Sequence, residues 1–334
     1  MGIRVLKGGM MTTVQDLGRT GYQSQGFSVS GVMDVRSFKI ANLLLDNPEN
    51  EAVLEFTLMG PTLEFTSETI ISITGGNFRP QINGKPAKMY TAIYMHRGDI
   101  LTFGGARTGT RGYIAFSSYL DIPVVMGSRS TNIKCKIGGF KGRKLEDGDY
   151  IGFRAKRRYL PYYLSRSLEL NEFDQEKVTL RVVMGPQEKM FTKEGRETFL
   201  NSEYTVTSEF DRMGCRLEGP FIAYKTTSDI ISDGIAFGSV QVPSHGKPII
   251  LLADRQTTGG YAKIATVISV DIPKLVQRKT EQKVRFQAVS VEEAQKLLAD
   301  EMKELNDFRS QIYTPCKEVL DCRLVAKRIS TLFK

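Results

Sequence analysis

Short runs of β-branched and aromatic residues, each followed by a glycine-bearing turn, recur along this chain. Ile70-Ile-Ser-Ile73, Tyr90-Thr-Ala-Ile-Tyr94, Ile100-Leu-Thr-Phe103 and Tyr113-Ile-Ala-Phe116 are the clearest. Runs of that length and composition suit a pleated surface, and their regular spacing predicts a barrel or a sandwich. The 334 residues exceed one ordinary core, so two domains are expected. The first β-rich block runs from Ile3 to about Arg154, with one helix inside it: Asp34 can cap, Phe38, Ala41 and Leu45 share a face, and Asn47-Pro48 stops it. The second runs from Val178 to Phe286, with a short helix expected around Gln187–Phe191. After it Ser290-Val-Glu-Glu293 reads as a capping box, and Ala294, Leu297, Leu298, Met302, Leu305, Phe308 and Ile312 recur at helical spacing. That amphipathic helix packs on its own domain or docks a partner; Pro315 should end it, and Val319 to Phe333 offers a second helix.

Several function classes are excluded by what the residues lack. No apolar signal segment opens the chain and no run of about 18 apolar residues offers a membrane span, so a cytoplasmic protein is expected. Cys135, Cys215, Cys316 and Cys322 show no Cys-x-x-Cys spacing, and the two histidines, His96 and His245, have no ligand cluster nearby, which argues against zinc and against a disulfide scaffold. Neither histidine sits where a Ser-His-Asp triad would need it. The P-loop pattern is absent, and Gly104-Gly-Ala-Arg-Thr-Gly109 reads as a hairpin turn. No Met-Lys-Met biotin-attachment pattern occurs. The net charge of +9 is concentrated between Arg129 and Arg166. Lys156-Arg-Arg158 with Tyr159, Tyr162 and Tyr163 could bind RNA, serve as a solvated linker, or dock an acidic partner; with no nucleic-acid module alongside, the linker is preferred and no nucleic-acid partner is expected.

Chemistry concentrates in Leu251-Leu-Ala-Asp-Arg-Gln-Thr-Thr-Gly-Gly-Tyr261, set between the apolar runs Pro248–Leu252 and Ile264–Val270. The paired glycines predict a tight turn that presents Asp254, Arg255, Gln256, Thr257 and Thr258; the plainer alternative is an Arg–Asp pair stapling a hairpin. Thr12-Thr-Val-Gln-Asp-Leu-Gly-Arg-Thr-Gly-Tyr-Gln23, followed by Ser30-Gly-Val-Met-Asp34, has the same character. Arg19, Arg107, Arg129, Arg212 and Arg255 can clamp carboxylate oxygens, and Asp16, Asp34, Asp211, Asp233 and Asp254 can orient or deprotonate an amide nitrogen. For each the alternative is a buried ion pair.

These two segments, with Gly60-Pro-Thr-Leu63, Thr74-Gly-Gly-Asn-Phe78, Gly127-Ser-Arg-Ser-Thr131, Gly138-Gly-Phe-Lys-Gly-Arg143, Ser208-Glu-Phe-Asp-Arg-Met-Gly214 and Ile231-Ser-Asp-Gly234, resemble the KipA family, also labelled allophanate hydrolase subunit 2, biotin-dependent carboxyltransferase, or the C subunit of 5-oxoprolinase. The resemblance implies two cyclophilin-like β-barrel subdomains, at 1–155 and 176–288, joined by a basic linker at 156–175 and followed by a helical tail at 289–334. It further implies one component, inactive alone, of an ATP-dependent 5-oxoprolinase that opens 5-oxo-L-proline together with two partners, a KipI-like B subunit and the oxoprolinase A subunit. ATP would come through one of those partners, and no cofactor would be bound by this chain. The alternatives are a urea-carboxylase-like carboxyltransferase, which alone would involve biotin, and a regulator that binds a KipI-like kinase inhibitor. The implied catalytic residues are Asp233, Asp254, Arg255 and Gln256; Arg255 and Gln256 would hold the substrate carboxylate or lactam oxygen and an aspartate would manage a proton. Thr257, Thr258, Gly259, Gly260 and Tyr261 would contact a small amide or lactam, as would Gln15, Asp16, Arg19, Ser30, Arg129, Ser208 and Arg212. Two departures stand out: Ser118-Tyr119 where the family usually has two glycines, and Gly8-Gly9 where it has Pro-Gly.

Overall fold

A computed structural model describes residues 1–156, 159–170 and 173–314. The first half packs two antiparallel sheets face to face. One has six strands, in the order Tyr150–Gly152, Gly2–Lys7, Thr62–Phe65, Ile100–Thr102, Gln81–Ile82, Lys85–Pro86. The other has five, in the order Met11–Gln15, Val53–Thr57, Thr108–Phe116, Thr69–Asn77, Ala92–Met95. Alternation along the strands explains how the five-stranded sheet is covered on both sides. Ile71, Ile73, Ile114 and Phe116 face the six-stranded sheet, whereas Ile70, Tyr113 and Ala115 face helix α1 (Val35–Leu44) and its Phe38, Ala41 and Leu45. Asp34 caps α1 by accepting the Ser37 amide at 2.9 Å, as its position before the apolar face predicts.

In the second half a seven-stranded barrel closes in the order Lys177–Met184, Lys263–Val267, Ser239–Gln241, Ile249–Leu251, Gly214–Glu218, Glu203–Phe210, Lys283–Ala288. The chain is thus mainly β, with a closed barrel and a C-terminal helix. The closing contact, Lys177–Met184 against Lys283–Ala288, is parallel, with Val178 opposite Val284. Helix α2 (Lys193–Asn201) packs on the Lys283–Ala288 strand, stacking Phe199 on Phe286 at 4.4 Å between centroids. Sequence reasoning expects a helix at Gln187–Phe191. The structure has only a 3-10 turn there, Glu188–Met190, and starts the helix later, where Thr192 caps it. A two-stranded ribbon, Asp229–Gly234 with Thr258–Tyr261, stands outside the barrel.

The two halves are bound by short α3 (Ile272–Val276) with Gln277, and by α4 (Val291–Ile312). Ser290 caps α4 through the Glu293 amide at 3.1 Å. The helix lies across the first half: Glu304 takes both Arg36 amino groups at 2.9 and 3.0 Å, and Leu305, Phe308 and Ile312 meet Ile40, Leu44 and Leu168. The stretch expected as a solvated linker is anchored where it is described. Leu160 and Leu168 are buried, and the Arg166 guanidinium donates to Leu44 O and Pro161 O. Arg157 and Arg158, Pro315 as helix terminator and the Val319–Phe333 helix fall outside the described residues.

Candidate functional site

The site is built where the first loops of the chain meet the segment after Leu251. Residues 16–19 and 29–32 lie back to back because Gly18 and Gly31 adopt φ of +92° and +90°; a Cβ on Gly31 would stand 2.9 Å from Gly18 N. Asp16 organises this corner. Its carboxylate accepts from Gly18 N, Arg129 N, Ser128 Oγ and Ser130 Oγ at 2.5–2.8 Å, which uses its lone pairs and fixes the 128–130 loop. Gln15 donates to Thr13 Oγ1 and Thr131 O, and the Arg129 side chain turns away to Ile122 O. Ser30 accepts from Asn132 Nδ2 at 3.1 Å, and its amide donates to Ala253 O at 3.1 Å, which joins the two segments that the sequence singles out.

Behind this corner Arg212 ties the halves together. Its Nε donates to Asp254 at 2.9 Å, and its two amino groups reach Glu55 and the Gly31 carbonyl. Burial disfavours the charged guanidinium, yet Asp254 and Glu55 outweigh it and hold the group above its ordinary pKa. Glu55 also accepts from Met33 N and from the Tyr113 hydroxyl at 2.8 and 2.9 Å. Burial, with Glu55 and Asp34 nearby, pushes the Tyr113 phenol well up, so it remains a neutral donor. Arg212, expected as a substrate contact, and Asp254, expected as a catalytic residue, are therefore partners of each other first.

On the outer side of the same segment a cleft of about 540 Å³ is lined by Ser208, Phe210, Arg216, Gln241, Gln256 and Tyr261 among others. Gly259 and Gly260 do not form the expected tight turn. They lie in the strand Thr258–Tyr261, Thr258 paired with Gly234, while the Thr257 carbonyl accepts the Ile235 amide. A Cβ at 259 would stand 2.7 Å from Gln241 Nε2 and 3.5 Å from Gln256 Nε2, so two side-chain amides converge over this glycine. Beside them Lys263, nearly buried, donates to Asp233 at 2.7 Å and to Gly234 O at 3.1 Å. That bond from Lys263, helped by the Gly234 amide, holds the Asp233 carboxyl below the usual range, so it is an ionised acceptor at neutral pH. Arg255 spends its donors on the Ile235 and Leu252 carbonyls and lies over the Phe237 ring, and burial lowers its pKa.

Sequence reasoning thus picks out Ser208, Gln256 and Tyr261, which do share a cleft, and misses Gln241 and Lys263. Both missed residues stand at strand ends, Gln241 closing Ser239–Gln241 and Lys263 opening Lys263–Val267, and read as ordinary strand residues. Among the described residues no three His, Cys, Asp or Glu side chains converge as a metal site, and no helix is long and apolar enough to cross a membrane.

Residues 25–288 match the family model described as carboxyltransferase domain, subdomain A and B. The chain belongs to this carboxyltransferase family. It is 35% identical to the C subunit of 5-oxoprolinase from Escherichia coli (strain K12), across 90% of this chain and 96% of that protein. It is likewise 35% identical to the same protein of Haemophilus influenzae, across 85% of this chain and 90% of that one. Among solved structures the K. lactis urea amidolyase superposes with a TM-score of 0.85 at 29% identity over 92% of this chain, which spans only 20% of that much longer protein. For this carboxyltransferase-family chain the Tyr119 departure has a visible accommodation: Tyr119 takes φ +53°, a conformation that favours glycine, and its ring carries the Arg154 guanidinium at 5.3 Å.

Proposed function

We propose that this chain is the C subunit of a hetero-oligomeric, ATP-dependent 5-oxoprolinase, opening 5-oxo-L-proline to L-glutamate with two partners, a KipI-like B subunit and the oxoprolinase A subunit. The observation that carries the reading is the near end-to-end match to two proteins that bear the name of that 5-oxoprolinase component. The cleft supports it chemically. A glutamine side chain both donates and accepts, so Gln241 and Gln256, converging over Gly259, suit the C=O and N–H edge of a lactam. In this reading Asp233, kept ionised by Lys263, accepts from the lactam nitrogen, while Asp254 and Arg255 fix the loop from behind. ATP enters through a partner, and the chain is inactive alone.

A second reading, a urea-carboxylase-like carboxyltransferase using biotin carried elsewhere, is favoured by the superposition on K. lactis urea amidolyase. The test is ATP turnover by this chain reconstituted with its two candidate partners, with 5-oxoproline or urea added. Turnover on 5-oxoproline that is lost when the chain is left out is expected. Stimulation by urea in a biotin-loaded assembly would favour the second reading, and a stable complex that turns over neither substrate would point to a regulatory binding protein.

A further inference from the structure

Helix α4 meets the barrel across a cleft of about 550 Å³, lined on one side by Arg181 of the Lys177–Met184 strand, Lys274 of α3 and Arg278 just beyond it. On the other side Leu297, Asp300, Glu301 and Glu304 recur at helical spacing and present one face of α4 to it. The charges do not cancel within either wall. Arg181 and Lys274 share one carboxylate, that of fully buried Asp271, which Arg181 bonds twice, at 2.8 and 2.6 Å, and Lys274 meets at 2.7 Å. Among the described residues Arg278 donates to carbonyls alone, those of Lys274, Gln175 and Phe173, so its charge adds to the excess; exposed Asp174 is the other acid on that segment. Across the cleft Asp300, Glu301 and Glu304 line the space with one cation, Arg36. Glu304 takes both Arg36 amino groups, and Glu301 stands 3.9 Å from the same guanidinium with no hydrogen bond of its own among the described residues. Burial pushes the Glu301 carboxyl above its ordinary pKa, with Arg36 opposing, as befits a carboxylate short of counter-charge.

A ligand of one sign would satisfy one wall and be opposed by the other, whereas a zwitterion meets both. The rest of the lining is largely apolar, with Val178, Val270, Pro273 and Leu297, and the volume suits a small molecule. We propose that this cleft is a second binding site, separate from the Gln241–Gln256 cleft, which takes a free α-amino acid with an apolar side chain. Its carboxylate lies against Arg181 and Lys274, its ammonium against Glu301, and its side chain on Val178, Pro273 and Leu297. The amino acid thereby spans from the barrel to the helix that crosses the first half, and occupancy strengthens the docking of the two halves.

The test uses the full chain alone and needs neither ATP nor partner, so its failure is separate from failure of the oxoprolinase reading. Binding of L-leucine would be measured by calorimetry and by the rise in melting temperature, beside isocaproate, which lacks the ammonium, and isoamylamine, which lacks the carboxylate. The wild type should bind leucine at least about tenfold more tightly than either analogue. Glu301→Gln, which keeps the shape of the side chain, and Lys274→Met, which leaves Asp271 its two bonds from the Arg181 side chain, should both melt close to the wild type. Each should weaken leucine by about tenfold. The glutamine variant should leave isocaproate unchanged and the methionine variant should leave isoamylamine unchanged, a crossed pattern that loss of folding could not produce. Three results would overturn the proposal: either analogue binding as tightly as leucine, which makes the cleft a site for one sign of charge; leucine binding of equal strength in the wild type and both variants, which places it elsewhere; and no saturation by leucine at millimolar concentration, which leaves the cleft to water.

Discussion

Arg212 meets three acceptors, on Glu55, Gly31 and Asp254, that lie far apart in sequence and in both halves of the chain. Arg212→Met would leave two carboxylates buried without their counter-ion. Removing one member of a buried ionic group costs about 3–5 kcal/mol, and urea unfolding at neutral pH should show a loss of that order. Gly259 is a different kind of residue. The atoms a new Cβ would meet, Gln241 Nε2 and Ile235 Cδ1 at 2.7 Å, are the far ends of side chains and can turn aside. Gly259→Ala should therefore keep its melting temperature within a few degrees, as expected for about 1 kcal/mol or less, while losing most lactam-dependent turnover in the reconstituted assembly. An alanine variant with full turnover would detach the paired amides from substrate recognition.

At the level of elements, what is readable in the sequence is what is encoded locally. The strands announce themselves by short β-branched and aromatic runs set between glycine-bearing turns, and α1 and α4 by a cap, an apolar face and, for α1, a proline stop. Helix α2 escapes notice because Gly195 and a mostly polar composition hide a face that buries little beyond Phe199. The parallel closure of the barrel is equally invisible, since it pairs strands about a hundred residues apart by backbone alone. The site follows the same rule: loops crowded with polar groups and glycines stand out, whereas Glu55, Gln241, Lys263 and Gln277 acquire meaning only from partners distant in sequence. Asp271, at the start of α3, gives an element-scale prediction. Burial alone would raise its pKa, but bonds from Arg181 and Lys274 bring the carboxyl below the usual carboxylate range. A depressed folded pKa stabilises fully above the unfolded value and is lost as pH falls through the folded one. Asp271→Asn should therefore cost about 2–3 kcal/mol at neutral pH, somewhat under the buried-pair figure because Arg181 keeps some water. The gap between variant and wild type should narrow below about pH 4, as acid titrations of unfolding at fixed urea would show.

Across the whole molecule, one amide joins the two halves at their centre. Gln277 Oε1 accepts the Thr110 and Arg111 amides at 2.9 Å, and its Nε2 donates to Asp34 at 2.9 Å and to Arg111 O at 3.1 Å. Each of those groups belongs to the first half and Gln277 to the second, so the buried polar surfaces of the sheets and of the barrel complete each other there. Burial holds the Asp34 carboxyl above its usual pKa, with the Ser37 and Gln277 bonds resisting, so the amide helps to settle a group that caps α1 as well. Gln277→Ala would strand the two backbone donors that meet its Oε1, each costing about 1–3 kcal/mol when buried and unmet, while Asp34 Oδ2 keeps only the Ser37 hydroxyl. Because the loss falls between the halves and not within either core, the consequence should be a change of cooperativity as much as of stability. Calorimetry of the variant is expected to give two separated transitions where the wild type gives one, and the calorimetric enthalpy should exceed the van't Hoff value. A single transition in the variant, shifted only slightly, would mean that α4 and the Arg212 group hold the halves together without the glutamine. The same variant should also weaken assembly-dependent turnover, since the loops that meet at Ala253 keep their positions only while the halves stay docked.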